Sequence, residues 1–411
     1  MKFLILNCGS SSLKFQVIEL ASSRSPERRQ RRLARGLVER IGDEATFSFV
    51  GPSGETSRRT IALPSHAEAV QQVLQWLNDK PGAEAGKTML QELDAVGHRI
   101  VHGGDRFQTS ILIDDEAIEA LAALEDLAPL HNPPAIRAIR ACRAALGAST
   151  PMVAAFDTAF HQTLPGYAAT YALPYELAER YRIRRYGFHG LAHRSLARRY
   201  AELTGIAREQ VTIVTLHLGN GCSACAIRHG VSVDTSMGFT PLEGLVMGTR
   251  SGNLDPAVVS YLSEQEGVSA AEVEQWLNER SGLLGVSGRS NDMRELLERA
   301  QDDVRCRLAV DLFCYRARQY VGAYLAVLGG AQALVFSGGI GEHSPAIRAR
   351  ICTDMHWCGL SLDATQNAQT IGREGRISSP EARLQAYVIP ADEEMLIAQD
   401  AAQLLHRSPN L

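Results

Sequence analysis

Three times along this chain an apolar strand runs straight into a turn of small polar residues: residues 3–6 into Asn7-Cys8-Gly9-Ser10-Ser11-Ser12, residues 211–216 into His217-Leu218-Gly219-Asn220-Gly221, and residues 333–336 into Ser337-Gly338-Gly339-Ile340-Gly341-Glu342. Strand-and-turn units that alternate with helical patterns restrict the chain to an α/β architecture. Their recurrence points to a duplicated one with a nucleotide between its halves. The first two units continue into further alternating segments, through Phe15-Gln16-Val17-Ile18 and through Ala226-Ile227, so each reads as a β-hairpin. Small turn residues let backbone N–H groups approach a phosphate. Ser10 and Ser12 add hydroxyl donors, Lys14 a point charge, and Asn7 an amide oxygen suited to a hydrated metal ion.

At 411 residues the chain exceeds one ordinary core, so two domains are expected. Its 42 basic and 46 acidic residues nearly cancel, which argues against a surface built for nucleic acid. The opening apolar run is only four residues long and no long apolar stretch follows. No export signal or membrane span is therefore predicted, and the expected location is the cytoplasm, where eight cysteines stay reduced. Cys222-Ser223-Ala224-Cys225 has metal-like spacing but lacks the second pair that a structural zinc site wants.

Between these units, a helix is predicted from Ser65, with Ala69, Val70, Val73, Leu74 and Leu77 at helical spacing behind a serine cap. Further helical patterns fall near 114–127 and 134–146, and long periodicity over 293–328 reads as core packing. Residues 21–36, with six arginines and no aromatics, read as a solvated loop between strands. Two familiar phosphate motifs are rejected. Gly82-Ala-Glu-Ala-Gly86-Lys87-Thr88 has three residues between its glycines where a P-loop needs four. Gly219-Asn-Gly221-Cys-Ser-Ala224 matches a dinucleotide fingerprint, but the strand pattern that follows cannot supply the helix this fingerprint opens.

Arg99, His131, Asp157, His189 and Arg250 each stand beside glycine, small or turn residues that allow a ligand to approach. Around them the chain carries Asn7-Cys-Gly-Ser-Ser-Ser-Leu-Lys14, Gly97-His-Arg99-Ile-Val-His-Gly-Gly104, Ala128-Pro-Leu-His131-Asn-Pro-Pro134, Phe156-Asp157-Thr-Ala-Phe-His-Gln162, Arg185-Tyr-Gly-Phe-His189-Gly190, Gly238-Phe-Thr-Pro-Leu-Glu-Gly244, Gly248-Thr-Arg250-Ser-Gly252 and Gly339-Ile-Gly-Glu342. With these motifs in this order, essentially the whole chain resembles the acetokinase family of the sugar kinase, Hsp70 and actin superfamily.

The resemblance implies duplicated actin-like, ribonuclease H-like α/β domains with an ATP cleft between them. One domain would cover residues 1–156 and be closed by a returning helix over 392–411, starting at an Asp392 cap; the other, 157–391, would carry most ATP contacts. It implies reversible transfer of the ATP γ-phosphoryl group to acetate, with Mg²⁺ (or Mn²⁺ in its place) held by Asn7 and Glu393, in a homodimer. Asp157, His189 and Arg250 would be catalytic. Arg99, Val101, Leu130, His131, Phe188 and Pro241 would bind the acceptor, with Val101 keeping the pocket short. ATP would be met by Ser10, Ser12 and Lys14, by His217, Leu218, Gly219, Asn220 and Gly221, by Asp292, Met293 and Arg294, and by Gly339, Ile340, Gly341, Glu342 and His343. Departures fall at motif edges: His343 stands where asparagine usually ends the glycine loop, and Asn253 where aspartate often follows Ser-Gly. A kinase for propionate or another short carboxylate is the nearest alternative. A non-catalytic ATP-dependent clamp is the alternative of another class.

Overall fold

A computed structural model describes residues 1–9, 11–21, 30–125, 128 and 132–407. The chain forms two compact units, Met1–Ala159 with Asp392–Leu411, and Phe160–Ala391. The first unit thus runs three residues beyond the expected 156. The reason is local: Asp157 N–H donates to Ile100 O and the Thr158 hydroxyl accepts from Gly103 N–H, tying this segment to the neighbouring strand.

The first unit is built on eight strands: β1 (Lys2–Cys8), β2 (Ser12–Glu19), β3 (Arg31–Glu39), β4 (Glu44–Val50), β5 (Thr56–Ala62), β6 (Ala95–Ile100), β7 (Ile111–Leu112) and β8 (Met152–Phe156). They lie in the order β5-β4-β3-β2-β1-β6-β8-β7. The second unit carries β9 (Ile213–Leu218), β10 (Cys222–Arg228), β11 (Val231–Thr235), β12 (Ala333–Ser337), β13 (Gly375–Arg376) and β14 (Gln385–Val388), in the order β11-β10-β9-β12-β14-β13. The run β3-β2-β1-β6-β8 and the run β11-β10-β9-β12-β14 are the same motif. Each has two antiparallel pairings followed by two parallel ones. The duplication expected from the turns is therefore present in strand order and direction.

Side-chain alternation decides what each face of the first sheet carries. Leu4, Leu6, Phe15, Val96, Ile100 and Phe156 share one core with the helices His66–Asn78 and Asn132–Leu146. The odd positions of β1 and β6 face the C-terminal helix Glu393–Arg407, where a Cβ on Gly97 would stand 2.6 Å from Ile397 Cγ2 and 2.8 Å from Ile5 Cδ1. A glycine at 97 is thus what lets this helix lie against the sheet. The caps form as the sequence predicts: Ser65 Oγ accepts from Ala67 N–H, and Asp392 Oδ1 from Met395 N–H. In the second unit the helix Gly190–Thr204 packs on β9 through Leu196, Ala197 and Tyr200.

Three expectations change. Arg31 to Gly36 are strand, not loop, because Ala34 is buried and Gly36 sits against the rings of Phe15 and Phe49; residues 22–29 of that segment lie outside the described residues. The 293–328 pattern is two helices, Met293–Arg299 and Val304–Leu328, broken where Asp303 caps the second. Val304 and Leu308 are 67% and 57% exposed, since they fall on the stripe opposite Cys306, Val310 and Phe313. The third strand-and-turn unit is no hairpin: Gly338, at φ +76°, turns β12 directly into the helix Gly338–His343.

Candidate functional site

In the first unit the C-terminal ends of three parallel strands bring charge together. Asn7 ends β1, pairs in register with Arg99 on β6 and stands across from Lys14 on β2; Asp157 follows β8. Arg99 Nε and Nη2 donate to the two Asp157 oxygens at 2.8 and 2.6 Å, a two-pronged contact, and Nη1 donates to Asn7 Oδ1 at 3.2 Å. Glu393, on the first turn of the C-terminal helix, lies 3.4 Å from Arg99 Nε. Burial alone would lower the Arg99 pKa, but the Asp157 and Glu393 carboxylates outweigh it and hold the guanidinium well above its usual value. Burial pushes the Glu393 carboxyl up, against the pull of Arg99, and does the same to Glu394.

Asn7 Oδ1 and the Asp157 and Glu393 carboxylates make an all-oxygen donor set beside Lys14. That set fits Mg²⁺, which keeps several waters and takes one or two carboxylates with substrate phosphates. Two residues passed over in the sequence shape the loop after β6. Asn132, fully buried at the start of its helix, accepts from His102 N–H at 3.1 Å and donates to His102 O at 3.0 Å, locking the turn next to Val101. Its only trace in the sequence is its place in the Pro-Leu-His-Asn-Pro-Pro run. Ser10, Leu130 and His131 lie outside the described residues.

In the second unit the β9–β10 hairpin turns at Gly219-Asn220-Gly221. A Cβ on Gly221 would stand 3.3 Å from His189 Cε1, 3.5 Å from His189 Nε2 and 3.7 Å from Arg250 Nη1, so this imidazole and this guanidinium meet over one glycine. His189 adopts φ +58° at the start of its helix, and its Nδ1 lies 2.9 Å from Ser223 Oγ. Arg250 sits in a loop pinned by backbone bonds Met247 N–H to Arg250 O, Leu283 N–H to Met247 O and Ser281 N–H to Thr249 O. Among the described residues no carboxylate pairs with Arg250: its contacts are Pro241 O and Met247 Sδ, and burial lowers its pKa. It is a partly buried cation that lacks an anion.

A cleft of about 830 Å³ opens beside the same turn, lined by Gly219, Asn220, Asp292, Met293, Arg294, Gly339, Ile340 and His343, and also by Asn291, Leu297, Ser344, Pro345 and Ala346. The first eight were named from the sequence. Of the other five, Asn291 donates to Asn220 Oδ1 at 3.0 Å, and no motif marked it. His217 turns its ring edge to His189 at a centroid distance of 5.0 Å and does not line the cleft. Nor do Gly341 and Glu342. Glu342 Oε1 accepts from Gly338 N–H, and Gly341 O accepts from Arg348, a fully buried arginine that also binds the Glu342, Asn367 and Thr370 carbonyls. Phe188 is buried and its carbonyl accepts from His161; Pro241 meets Arg250 through its own carbonyl. Asn253, in place of an aspartate, accepts from Gly244 N–H and donates to the Tyr320 hydroxyl.

A repeated mixed sheet whose first hairpin carries the polar turn, with an unpaired arginine and a histidine at that turn in the second unit, defines an α/β protein equipped to handle phosphate. Residues 2–399 match the model of the acetokinase family. The chain belongs to that family. It is 53% identical over 412 residues to an acetate kinase from Solibacter usitatus, covering 100% of both chains, and 49% identical to one from Chloroherpeton thalassium, covering 99% of this chain and 100% of the other. Among solved structures it resembles acetate kinase from Porphyromonas gingivalis (TM-score 0.90, 41% identity, 98% and 99% of the two chains). It also resembles a propionate kinase from Francisella tularensis (TM-score 0.88, 38% identity, 97% and 98%). Among the described residues no helix is long and apolar enough to cross a membrane.

Proposed function

We propose that the protein reversibly transfers the γ-phosphoryl group of ATP to acetate, giving acetyl phosphate and ADP. Acetate is ionised at neutral pH, because carboxyl groups titrate near pKa ~4 to 5, so the nucleophile needs no general base. The barrier is repulsion between two anions. Arg99 fixes the acetate carboxylate, and Val101, Phe188 and Pro241 enclose its methyl group, with Leu130 and His131 as further acceptor contacts. Arg250 and His189 neutralise charge on the transferring phosphoryl group during in-line displacement. The observation that carries this reading is the meeting of His189 Nε2 and an arginine without a carboxylate over Gly221.

The 830 Å³ cleft suits the nucleotide, with Gly339 presenting an open backbone face and Asp292 to Arg294 the opposite wall. Ser10, Ser12 and Lys14 serve the phosphates. Asn7 and Glu393 would hold Mg²⁺, whose chemistry when bound is to neutralise phosphate charge. Asp157 orients Arg99 and the water around that ion, and moves no proton. A cytoplasmic homodimer belongs to the same reading; the exposed apolar stripe of Val304, Leu308 and Tyr315 supports a partner surface.

Hydroxamate trapping of acyl phosphate with ATP and acetate, propionate or butyrate tests the proposal. Acetate is expected to give the highest kcat/KM. Preference for propionate would move the protein to the alternative carboxylate kinase, and no acyl phosphate from any acid would leave only the non-catalytic clamp.

A further inference from the structure

Behind His189 a chain of hydrogen bonds runs into the core of the second unit. His189 Nδ1 lies 2.9 Å from Ser223 Oγ, Ser223 Oγ 2.8 Å from His193 Nε2, His193 Nδ1 2.7 Å from Thr215 Oγ1, and Thr215 Oγ1 3.4 Å from Cys225 O. Ser223, His193 and Thr215 are all fully buried.

Burial, together with the neighbouring His161 and His217 rings, holds His193 well below the usual histidine range, so it is neutral and carries one ring proton. The carbonyl of Cys225 can only accept, which gives the Thr215 hydroxyl proton a destination. Thr215 Oγ1 then accepts from His193 Nδ1–H. His193 Nε2, left bare, accepts the Ser223 hydroxyl proton. Ser223 Oγ, with its proton committed, is an acceptor toward His189 Nδ1–H.

We infer that Ser223, backed by His193 and Thr215, is a positioning residue that keeps the Nδ1 proton on His189 and leaves Nε2 as the atom turned toward Gly221 and Arg250. This rests on the reading of His189 as a phosphoryl-facing group. In that role His189 donates from Nε2 only as an imidazolium, because its neutral form holds its single proton at Nδ1. The charged or titratable groups facing it are His217 at a ring distance of 5.0 Å, Arg250 across Gly221, and His193 through Ser223. A second support acts on the backbone: His161 Nε2–H donates to Phe188 O, the residue before His189, while Ser232 Oγ lies 2.8 Å from His161 Nδ1.

The test is the nitrogen-15 spectrum of imidazole groups in the histidine-labelled full chain, with His189 assigned by its loss in His189→Gln. In the native protein at high pH, His189 is expected to show a protonated Nδ1 and a bare Nε2. Thr215→Val touches no atom of His189 and preserves shape. It removes the acceptor for His193 Nδ1–H, so the His193 proton moves to Nε2, Ser223 turns its hydroxyl to His189, and the neutral His189 proton moves to Nε2. Ser223→Ala should also change the His189 signals, and should lower kcat by about tenfold with KM for ATP within about twofold.

A bare Nδ1 in the native protein, or His189 signals unmoved by Thr215→Val in a chain that still melts cooperatively, would overturn the inference. Absence of acyl phosphate formation by the native protein would instead remove the functional reading and leave the spectroscopic result standing.

Discussion

Arg99 grips Asp157 with two parallel hydrogen bonds, 2.8 and 2.6 Å long, from the end of one parallel strand to the residue that follows the next. Arg250, in the other unit, has no such partner among the described residues. The two arginines are therefore in opposite electrostatic states before any ligand arrives. Arg99 is already neutralised and geometrically fixed, which suits positioning a carboxylate. Arg250 keeps its charge for an anion.

Asp157→Asn keeps the shape of the side chain and removes its charge. It should cut kcat by ~10²-fold or more, as loss of preorganised electrostatics does, with no shift in an acidic limb of the pH–rate profile. It should also destabilise the first unit by ~3–5 kcal/mol in urea unfolding, because Arg99 is left in a buried site without its main counter-charge. Disappearance of a group titrating near neutral pH would show instead that Asp157 moves a proton.

Arg250→Ala should lower kcat by ~10³-fold, the low end of what an arginine contributes to phosphoryl transfer, with KM for ATP little changed. Arg250→Lys should recover only part of this, since an ammonium cannot present the same fork. Steady-state kinetics in ATP decide it. Normal turnover with weakened ATP binding would reject the role.

His98 is buried on the core face of β6, and burial drops its pKa from the usual 6.5 to about 3. Between those values the unfolded chain takes up a proton that the folded chain refuses. Stability is therefore complete above pH 6.5 and is lost as pH falls, by up to ~1.4 kcal/mol per pH unit from this one residue. His102, lowered to about 4 by burial, adds to the same slope. Urea midpoints from pH 7 to pH 5 should fall steeply in the native protein and less steeply in His98→Leu. Equal slopes would mean that His98 is not held neutral.

Gly97→Ala would place its Cβ 2.6 Å from Ile397 and 2.8 Å from Ile5, so overpacking should cost ~1–3 kcal/mol. Because Ile397 shares its helix with Glu393, the same change should weaken the Mg²⁺ requirement's apparent affinity. Adding Ile397→Ala should return part of the stability. A fully additive double variant would indicate that the two residues do not press on each other.

The two hairpins were legible along the chain because alternation and turn chemistry are local: apolar runs flanking Asn7 to Ser12 and Gly219 to Gly221 leave little choice. The third turn deceived for an equally local reason. A glycine at positive φ serves a hairpin or a helix start alike, and Gly338 took the second because β12 is followed by a segment that packs back through Arg348. The outward stripe at Val304 and Leu308 was also beyond periodicity, which fixes which residues share a face but not which face meets the core.

The amino-acid order alone determined the units of the fold and the identities of the reactive side chains, since both depend on neighbours within a few residues. Tertiary structure decided their pairings. It matched Asn7 to Arg99 by strand register, brought Glu393 from the far end of the chain to Arg99 through the Gly97 approach, and lined Ser223, His193 and Thr215 behind His189. The physical reason is that hydrogen bonds and ion pairs act over a few ångströms, while the residues they join here stand tens to hundreds of positions apart in the chain.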